Sequence, residues 1–136
     1  MNEPGKIRAI LEAARTIAVV GCSTNPYRAS NSVSQYLIES GYEVIPVNPN
    51  CAEVLGRRCY PSLLDIPRDT TIDIVDVFRN SASVAALVEP SMARNARFFW
   101  MQEGVIDPES ARRLEAAGLG VAMDLCIMKE RARQIR

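Results

Sequence analysis

The sequence contains no histidine, and this absence removes several kinds of enzyme chemistry at once. Ser-His-Asp and Cys-His nucleophile systems both use an imidazole as the general base. A phosphohistidine intermediate and a histidine-ligated metal site also require this residue. The candidate functional residues are therefore ligand-binding groups, and any catalysis would have to use carboxylates or thiols.

Long apolar runs, an export signal and a net charge are missing as well. No apolar run approaches the ~20 residues of a membrane helix, and residues 1–5 lack the basic and apolar regions of a secretory signal. The 16 basic residues balance 16 acidic residues, which does not favour a broad surface for nucleic acid or anionic lipid. We expect a cytoplasmic protein, monomeric or a small homo-oligomer, that binds neither nucleic acid nor membrane.

The four cysteines form no C-x-x-C pair: they are Cys22, Cys51, Cys59 and Cys126. Free thiols in a reducing compartment are the expected state, and no metal site is predicted, although a cysteine-only zinc site is an alternative. The chain of 136 residues is long enough for one domain and too short for two. We therefore treat residues 1–136 as a single domain.

Apolar runs rich in β-branched residues alternate along the chain with segments of helical periodicity. Residues 17–21 form a continuous apolar run, which is typical of a strand buried on both faces. Residues 7–14 place apolar side chains at i, i+3, i+4 and i+7, which is typical of a helix. The alternation predicts a Rossmann-like, doubly wound α/β fold, with a mainly parallel five-stranded sheet and helices on both faces. The predicted strands are residues 17–21, 44–47, 72–78, 98–101 and 119–123.

Several residues mark the expected helix ends. Gly41 is placed to end the second helix, and residues 62–65 resemble a capping box on a short turn. Ser81 is expected to cap a helix that Pro90 kinks or ends. Residues 107–109, Asp-Pro-Glu, predict a helix start. A charged tail without a predicted element closes the chain.

Parallel sheets of this kind bind ligands beyond the carboxyl ends of their strands, so the loops there are the candidate site. The loop after the first predicted strand contains Gly21, which permits a tight turn, and leads into a helix N-terminus suited to anions. Ser23, Thr24 and Ser30 add hydroxyl donors, and Arg28 adds a guanidinium suited to phosphate. The loop predicts a phosphate site, with a capped polar loop as the alternative.

The usual phosphate-binding fingerprints do not fit this loop. The dinucleotide pattern G-x-G-x-x-G needs glycine where Ser23 and Pro26 stand. The second strand ends at Val47 and Asn48, without the acid that an NAD site uses for its ribose. The P-loop pattern is also absent. The sequence is compatible with phosphates but not with ordinary nicotinamide or nucleoside-triphosphate sites.

The third and fourth strand ends supply further candidate residues. Phe78 offers a surface for an adenine ring and Arg79 a charge facing the same crevice, although a core Phe78 and a surface-paired Arg79 are the alternative. Gln102 offers an amide donor and acceptor, and Gly104 lets the backbone approach a ligand.

Together, these segments resemble the small single-domain CoA-binding proteins, whose fold is similar to the nucleotide-binding domain of the succinyl-CoA synthetase α subunit. The resemblance rests on the strand ends Pro-Val-Asn-Pro at residues 46–49 and Val-Phe-Arg at 77–79. It also rests on Trp-Met-Gln at 100–102, followed by Gly104, and on Ala-Met-Asp at 122–124. It covers about residues 10–130.

The resemblance implies a coenzyme A site at the carboxyl edge of the sheet. It implies that Gly21, Ser23, Arg28 and Ser30 surround phosphates, with Thr24 in the same loop, and that Val47, Asn48 and Pro49 line the adenosine. It further implies that Phe78 and Arg79 border the nucleotide, while Gln102 and Gly104 approach the pantetheine arm. Cys22 stands where relatives carry alanine, and we interpret it as a small core residue rather than a reactive thiol.

Three functions follow as hypotheses. The first is binding of CoA or an acyl-CoA without catalysis. The second is an enzyme or accessory subunit of acyl-CoA or thioester metabolism, for which Asp124, Glu103 or Cys126 would have to act as the base. The third is a thiol-redox regulatory module in which Cys22 or Cys126 forms a mixed disulfide with CoA.

Overall fold

A computed structural model describes residues 1–135 of the chain. Its strands, in chain order, are β1 (Thr16–Val20), β2 (Glu43–Val47), β3 (Glu53–Val54), β4 (Arg57–Arg58), β5 (Ile74–Val77), β6 (Phe98–Met101) and β7 (Gly120–Ala122). Five of them form one sheet in the order β2-β1-β5-β6-β7, and all of its neighbours are parallel. Strands β3 and β4 form a separate antiparallel hairpin.

Helices cover both faces of the large sheet. They are α1 (Pro4–Ala13), α2 (Ala29–Glu39), α3 (Val88–Ala93), α4 (Pro108–Ala116) and α5 (Ile127–Gln134). Apolar residues of α1, α2 and α5 pack into one core, and those of α3 and α4 pack into a second core on the opposite face. The predicted Rossmann-like fold is therefore confirmed. None of the helices among the described residues is long and apolar enough to cross a membrane.

The sheet interior explains why the apolar runs could be recognised as strands. Every residue of β1 is buried, because β1 has helices on both faces and a strand on each side. Pro46 lies in β2, which is an edge strand and tolerates a residue without an N–H donor. The C=O of Pro46 accepts a hydrogen bond from the Tyr60 N–H at 3.0 Å, which covers part of this edge.

Gly41 ends α2 as predicted. Its φ of +100° is in the left-handed region, which glycine adopts with little cost. The Gly41 N–H donates to the Ile38 C=O at 3.0 Å and the Tyr42 N–H donates to the Leu37 C=O at 3.1 Å. These two bonds form a Schellman motif, which satisfies carbonyls left free at the helix end.

The helix after β5 begins differently from the prediction. Asn80, not Ser81, caps the first short 3₁₀ turn, because its Oδ1 accepts the Ser83 N–H at 3.0 Å. The Ser81 hydroxyl instead accepts the Ile106 N–H at 2.8 Å. Pro90 neither kinks nor ends the helix: it lies in the first turn of α3, where its missing N–H would have no helical partner.

Other local features also differ from expectation. The charged tail contains α5, and the β3–β4 hairpin follows the loop after β2. Residues 62–65 form a short turn, but the Ser62 hydroxyl donates to Asp65 Oδ2 at 2.8 Å and caps no backbone N–H. The capping box predicted there is therefore wrong.

Candidate functional site

The order of the strands creates a crevice at the carboxyl edge of the sheet. The chain passes from β1 through α2 to β2 on one side, and then crosses to β5 on the other side of β1. β1 leads into α2 on one face of the sheet, and its neighbour β5 leads toward α3 on the other face. Ligands bind in doubly wound sheets where the loops of adjacent strands leave on opposite faces. Gly21, Asn48 and Phe78 immediately follow β1, β2 and β5.

Gly21 brings two of these loops into direct contact. Its φ is +86°, and its N–H donates to the Val47 C=O at 2.8 Å. A Cβ at this position would lie 2.6 Å from the backbone oxygen of Phe78. Only glycine allows this approach, so Gly21 sets the position of the backbone that carries Phe78 and Arg79.

The loop between β1 and α2 is shaped by its own polar residues. The Ser23 N–H donates to Ser30 Oγ at 3.0 Å, and Asn31 Nδ2 donates to the Ser23 C=O at 2.8 Å. The Ser23 hydroxyl accepts the Asn25 N–H at 3.0 Å. Ser30 is buried. Ser23 and Ser30 therefore hold the loop in place over the start of α2.

The start of α2 combines free backbone donors with positive charge. The first N–H groups of a helix have no partner within the helix and attract anions. Arg28 occupies the N-cap position, and both Arg28 and Thr24 are exposed. Within residues 1–135, neither Arg28 nor Arg79 forms an ion pair with a carboxylate. Both guanidinium groups are available to an anionic ligand.

Asn48 ties the loop after β2 to the loop after β1. Its Nδ2 donates to the Cys22 C=O at 2.9 Å, and its backbone N–H donates to the Tyr60 C=O at 2.9 Å. Its Oδ1 accepts the Asn50 N–H at 2.9 Å. With all of these groups engaged, Asn48 fixes the shape of the crevice wall.

One pocket of the crevice, here called pocket A, has a volume of about 330 Å³. It lies on the face of the sheet that carries α2 and α5. Four predicted site residues line it: Phe78, Arg79, Gln102 and Gly104. The side chains that sequence reasoning did not assign to it include Ala29, Val33 and Cys126.

Hydrogen bonds from α5 and its preceding loop hold the wall of pocket A. Gln102 Oε1 accepts the Ile127 N–H at 3.1 Å, so this side chain satisfies a donor at the start of α5. The amide NH₂ of Gln102 is thereby left as a donor for a ligand. The Gly104 N–H donates to Asp124 Oδ1 at 2.7 Å. Glu103 pairs with Lys129 at 3.2 Å on the surface.

A second pocket, here called pocket B, has a volume of about 280 Å³ and lies on the opposite face of the sheet. Its walls are mainly apolar and include Val20, Val47, Pro61, Leu63 and Leu87. Arg79 lines pocket B as well as pocket A, so its side chain lies between the two pockets. A smaller pocket of about 190 Å³ runs along β2 beside Arg57 and Arg58, outside this crevice.

The structure divides the predicted site residues into four groups, with Arg79 in two of them. Pocket A contains Phe78, Arg79, Gln102 and Gly104, and pocket B contains Val47 and Arg79. The loops themselves are shaped by Gly21, Ser23, Ser30 and Asn48. Neither pocket is lined by Thr24, Arg28 or Pro49, which are exposed at the crevice rim.

The apolar walls missed by sequence reasoning come from segments with little local signal. Pro61 and Leu63 reach pocket B from the turn after β4, although no strand of the large sheet ends there. Ala29 and Val33 are spaced four residues apart at the start of α2, which is a helical-face signal that could have assigned both to pocket A.

Two buried groups lie beneath the crevice. Asp76 in β5 is fully buried, and neither of its carboxyl oxygens has a hydrogen-bond partner among residues 1–135. This burial raises the pKa of Asp76 well above its usual range, which favours the neutral acid. Cys22 is also fully buried, beside the Ser34 hydroxyl at 3.5 Å. Burial raises the pKa of the Cys22 thiol, which agrees with a core residue.

Comparisons with known proteins agree with the fold. A Bacillus subtilis protein, YneT, is 43% identical over 129 residues, covering 93% of this chain and 94% of that protein. The structure of a hypothetical protein from Pyrococcus horikoshii superposes with a TM-score of 0.93 at 40% identity, covering 98% of this chain and 93% of the other.

A longer relative matches less than half of this chain. The ADP-forming acetate–CoA ligase II of Archaeoglobus fulgidus is 34% identical over 65 residues, which is 46% of this chain and 10% of the ligase. A family model described as a CoA binding domain matches residues 15–132. The chain therefore belongs to the CoA-binding domain family and is related to the CoA-binding part of ADP-forming acetyl-CoA synthetases.

Proposed function

We propose that this chain, as one domain, binds coenzyme A or an acyl-CoA across the carboxyl edge of its sheet, without catalysis of its own. The observation that carries the proposal is the pair of pockets on opposite faces of the sheet, joined at Arg79 and flanked by the start of α2. A ligand with an aromatic end, a charged middle and an extended amide-containing arm matches this order.

The adenosine occupies pocket B in this proposal. Its apolar walls, which include Val20, Val47 and Leu63, suit the flat face of an adenine ring. The end of β2 carries Asn48 instead of the acid that binds ribose hydroxyls in NAD sites. CoA carries a phosphate on this ribose, so a carboxylate there would repel it.

The phosphates lie between the two pockets. Ala29 at the start of α2 lines pocket A together with Arg79, and Arg28 is the N-cap residue of this helix. The helix N-terminus and both guanidinium groups would then meet the phosphates. Arginine donates paired hydrogen bonds to phosphate oxygens. The protein has no net charge, so these local donors supply the attraction for an anionic ligand.

The pantetheine arm follows pocket A. This arm contains two amide groups, and the pocket offers the Gln102 NH₂ group as a donor beside the apolar side chains of Val33 and Phe78. Both thiols considered for a mixed disulfide are buried. Cys126 lines the same pocket and Cys22 does not, so Cys126 is the one that meets the arm.

Binding without catalysis is supported by what the candidate bases do. Asp124 accepts the Gly104 N–H at 2.7 Å, and Glu103 pairs with Lys129 at 3.2 Å. Both carboxylates are thereby engaged in holding the wall of pocket A. Because both carboxylates already have structural partners, these contacts favour ligand binding over catalysis.

Calorimetric titration of CoA into the wild type and two arginine variants tests the proposal. Arg79→Ala removes the group shared by both pockets, and Arg28→Ala removes the charge at the rim. A charged hydrogen bond to phosphate contributes ~1.5–3 kcal/mol, so each variant is expected to bind CoA about 10- to 150-fold more weakly. Arg112→Ala is the matched control, because Arg112 lies on α4 and pairs with Glu109 at the surface.

The variants test where the phosphates bind and whether overall charge explains the effect. Unchanged CoA affinity in both Arg28→Ala and Arg79→Ala would show that the phosphates lie elsewhere. An equal loss in Arg112→Ala would show that the effect comes from overall charge rather than from the crevice.

A further inference from the structure

Two thiols face each other at the edge of the crevice, outside both pockets. The Sγ atoms of Cys51 and Cys59 are 3.4 Å apart. Cys51 is half-buried and Cys59 is buried. Neither residue has a role in the proposed CoA site, and both thiols are free.

The β3–β4 hairpin fixes this pair. Its two-residue turn, Leu55-Gly56, has positive φ values of +53° and +74°, as a type I′ turn requires. The Cys59 N–H donates to the Ala52 C=O at 2.8 Å, which extends the pairing of the hairpin up to the thiols. Because Cys59 is paired with Ala52, the residue that follows Cys51, the hairpin brings the two sulfur atoms close together.

The pair also contacts a residue that shapes the crevice. Cys59 Sγ donates to the C=O of Asn48 at 3.5 Å. The Asn48 side chain in turn holds the Cys22 C=O in the loop after β1. A change in the bonding of Cys59 therefore reaches the loops after both β1 and β2 through one residue.

We propose that Cys51 and Cys59 form a reversible dithiol–disulfide site that responds to low-molecular-weight disulfides and alters the crevice beside Asn48. A disulfide would bring the sulfur atoms to ~2.05 Å, which draws the two sides of the hairpin together. It would also remove the S–H donor from the Asn48 carbonyl. The effect on CoA rests on the proposed function, whereas formation of the disulfide does not.

The chemistry is two steps of thiol–disulfide exchange. The Cys51 thiolate attacks one sulfur of a disulfide R–S–S–R, which forms a Cys51–S–S–R bond and releases R–S⁻ to take up a proton. Cys59 then loses its proton to solvent, and its thiolate attacks the Cys51 sulfur and releases the second R–S⁻. The two protein thiols are oxidised and the small disulfide is reduced to two thiols.

The order of attack follows from accessibility. Cys51 is the more exposed of the two thiols. Burial and the neighbouring Cys51 thiol raise the pKa of Cys59, which disfavours Cys59 as the first nucleophile. Once Cys51 carries the mixed disulfide, proximity at the hairpin favours closure by Cys59.

Intact-protein mass spectrometry after treatment with oxidised glutathione tests the site directly. The wild type is expected to lose about 2 Da, with a cross-link that maps to Cys51 and Cys59 and disappears on reduction. Cys51→Ser should form no such cross-link, whereas the control Cys126→Ser should form it like the wild type. A wild type that stays reduced, keeps a glutathione adduct, or links other cysteines would overturn the proposal.

CoA titration of the reduced and oxidised wild type tests the coupling to the crevice. The oxidised form is expected to bind CoA several-fold more weakly, and the oxidant should leave the affinity of Cys51→Ser unchanged. Equal affinity of both wild-type forms would overturn the coupling. If neither form binds CoA while the cross-link forms, the proposed CoA function fails and the dithiol site stands.

Discussion

The contact between Gly21 and Phe78 allows a stability prediction in which two physical costs can be separated. In Gly21→Ala, the backbone φ of +86° must be held by an alanine, which costs ~1–2 kcal/mol. The new Cβ would also lie 2.6 Å from the Phe78 oxygen. Relieving this overlap by shifting the loop after β5 costs ~1–3 kcal/mol more. Together these costs predict a loss of ~2–5 kcal/mol in the free energy of unfolding.

Gly41→Ala is the matched control for this experiment. Gly41 has a φ of +100°, but a Cβ there would meet no atom within 4 Å. This variant should therefore lose only the ~1–2 kcal/mol that belongs to the backbone conformation. Urea unfolding of both variants, compared at the same m-value, measures the difference.

If Gly21→Ala is no less stable than Gly41→Ala, the loops after β1 and β5 do not meet closely in the folded protein. If they do meet, Gly21→Ala should also bind CoA more weakly than Gly41→Ala, because the shift moves Phe78 and Arg79 in pocket A.

Two further predictions concern Asp76 and Gln102. Because burial raises the pKa of Asp76, its stabilising effect is fully present below the unfolded pKa of ~3.9 and is lost as the pH rises toward the folded pKa. Denaturation at several pH values measures the free energy of unfolding of Asp76→Asn and of the wild type. As the pH rises across this window, the difference should shift in favour of Asp76→Asn by at most ~1.4 kcal/mol per pH unit. Parallel pH profiles of the two proteins would contradict this. Gln102→Glu keeps an oxygen for the Ile127 N–H but places a carboxyl group at a buried position, so its unfolding midpoint should fall as the pH rises above the ordinary pKa of glutamic acid. It lacks the amide donor, so calorimetry should show ~2- to 12-fold weaker CoA binding; unchanged affinity would remove Gln102 from the site.

The sequence predicted the parts of the fold that depend on local patterns. The run at residues 17–21 is apolar on both faces, and the strand β1 that it forms is buried along its whole length. Gly41 ended its helix as expected because glycine adopts the required positive φ. Such signals are carried by a few neighbouring residues and need no knowledge of the distant chain.

The local signal was insufficient where two neighbours competed or where an element was short. Asn80 and Ser81 are both good helix caps, and only the packed structure shows that Ser81 binds the Ile106 N–H instead. Half of the residues of helix α5 are charged, and it buries only Ile127 and Glu130, so it lacks a clear apolar face. Two-residue strands such as β3 are too short for an alternating pattern.

In the candidate site, too, residues with a local signal were predicted and residues defined by distant contacts were not. Strand ends located Phe78, Arg79, Gln102 and Gly104, because parallel strands bring their carboxyl ends to one edge. The role of Asn48 in joining two loops depends on a contact to Cys22, which is 26 residues away in the chain. Contacts of this kind are set by the tertiary fold and leave no local pattern.

Whether this protein has a coenzyme A site can be measured by calorimetric titration of the wild type with CoA, dephospho-CoA and NAD. We expect saturable binding of CoA, weaker binding of dephospho-CoA by about 10-fold or more because one phosphate contact is lost, and no saturable binding of NAD. No saturable heat with CoA at high micromolar protein, or binding of NAD as tight as that of CoA, would contradict this expectation.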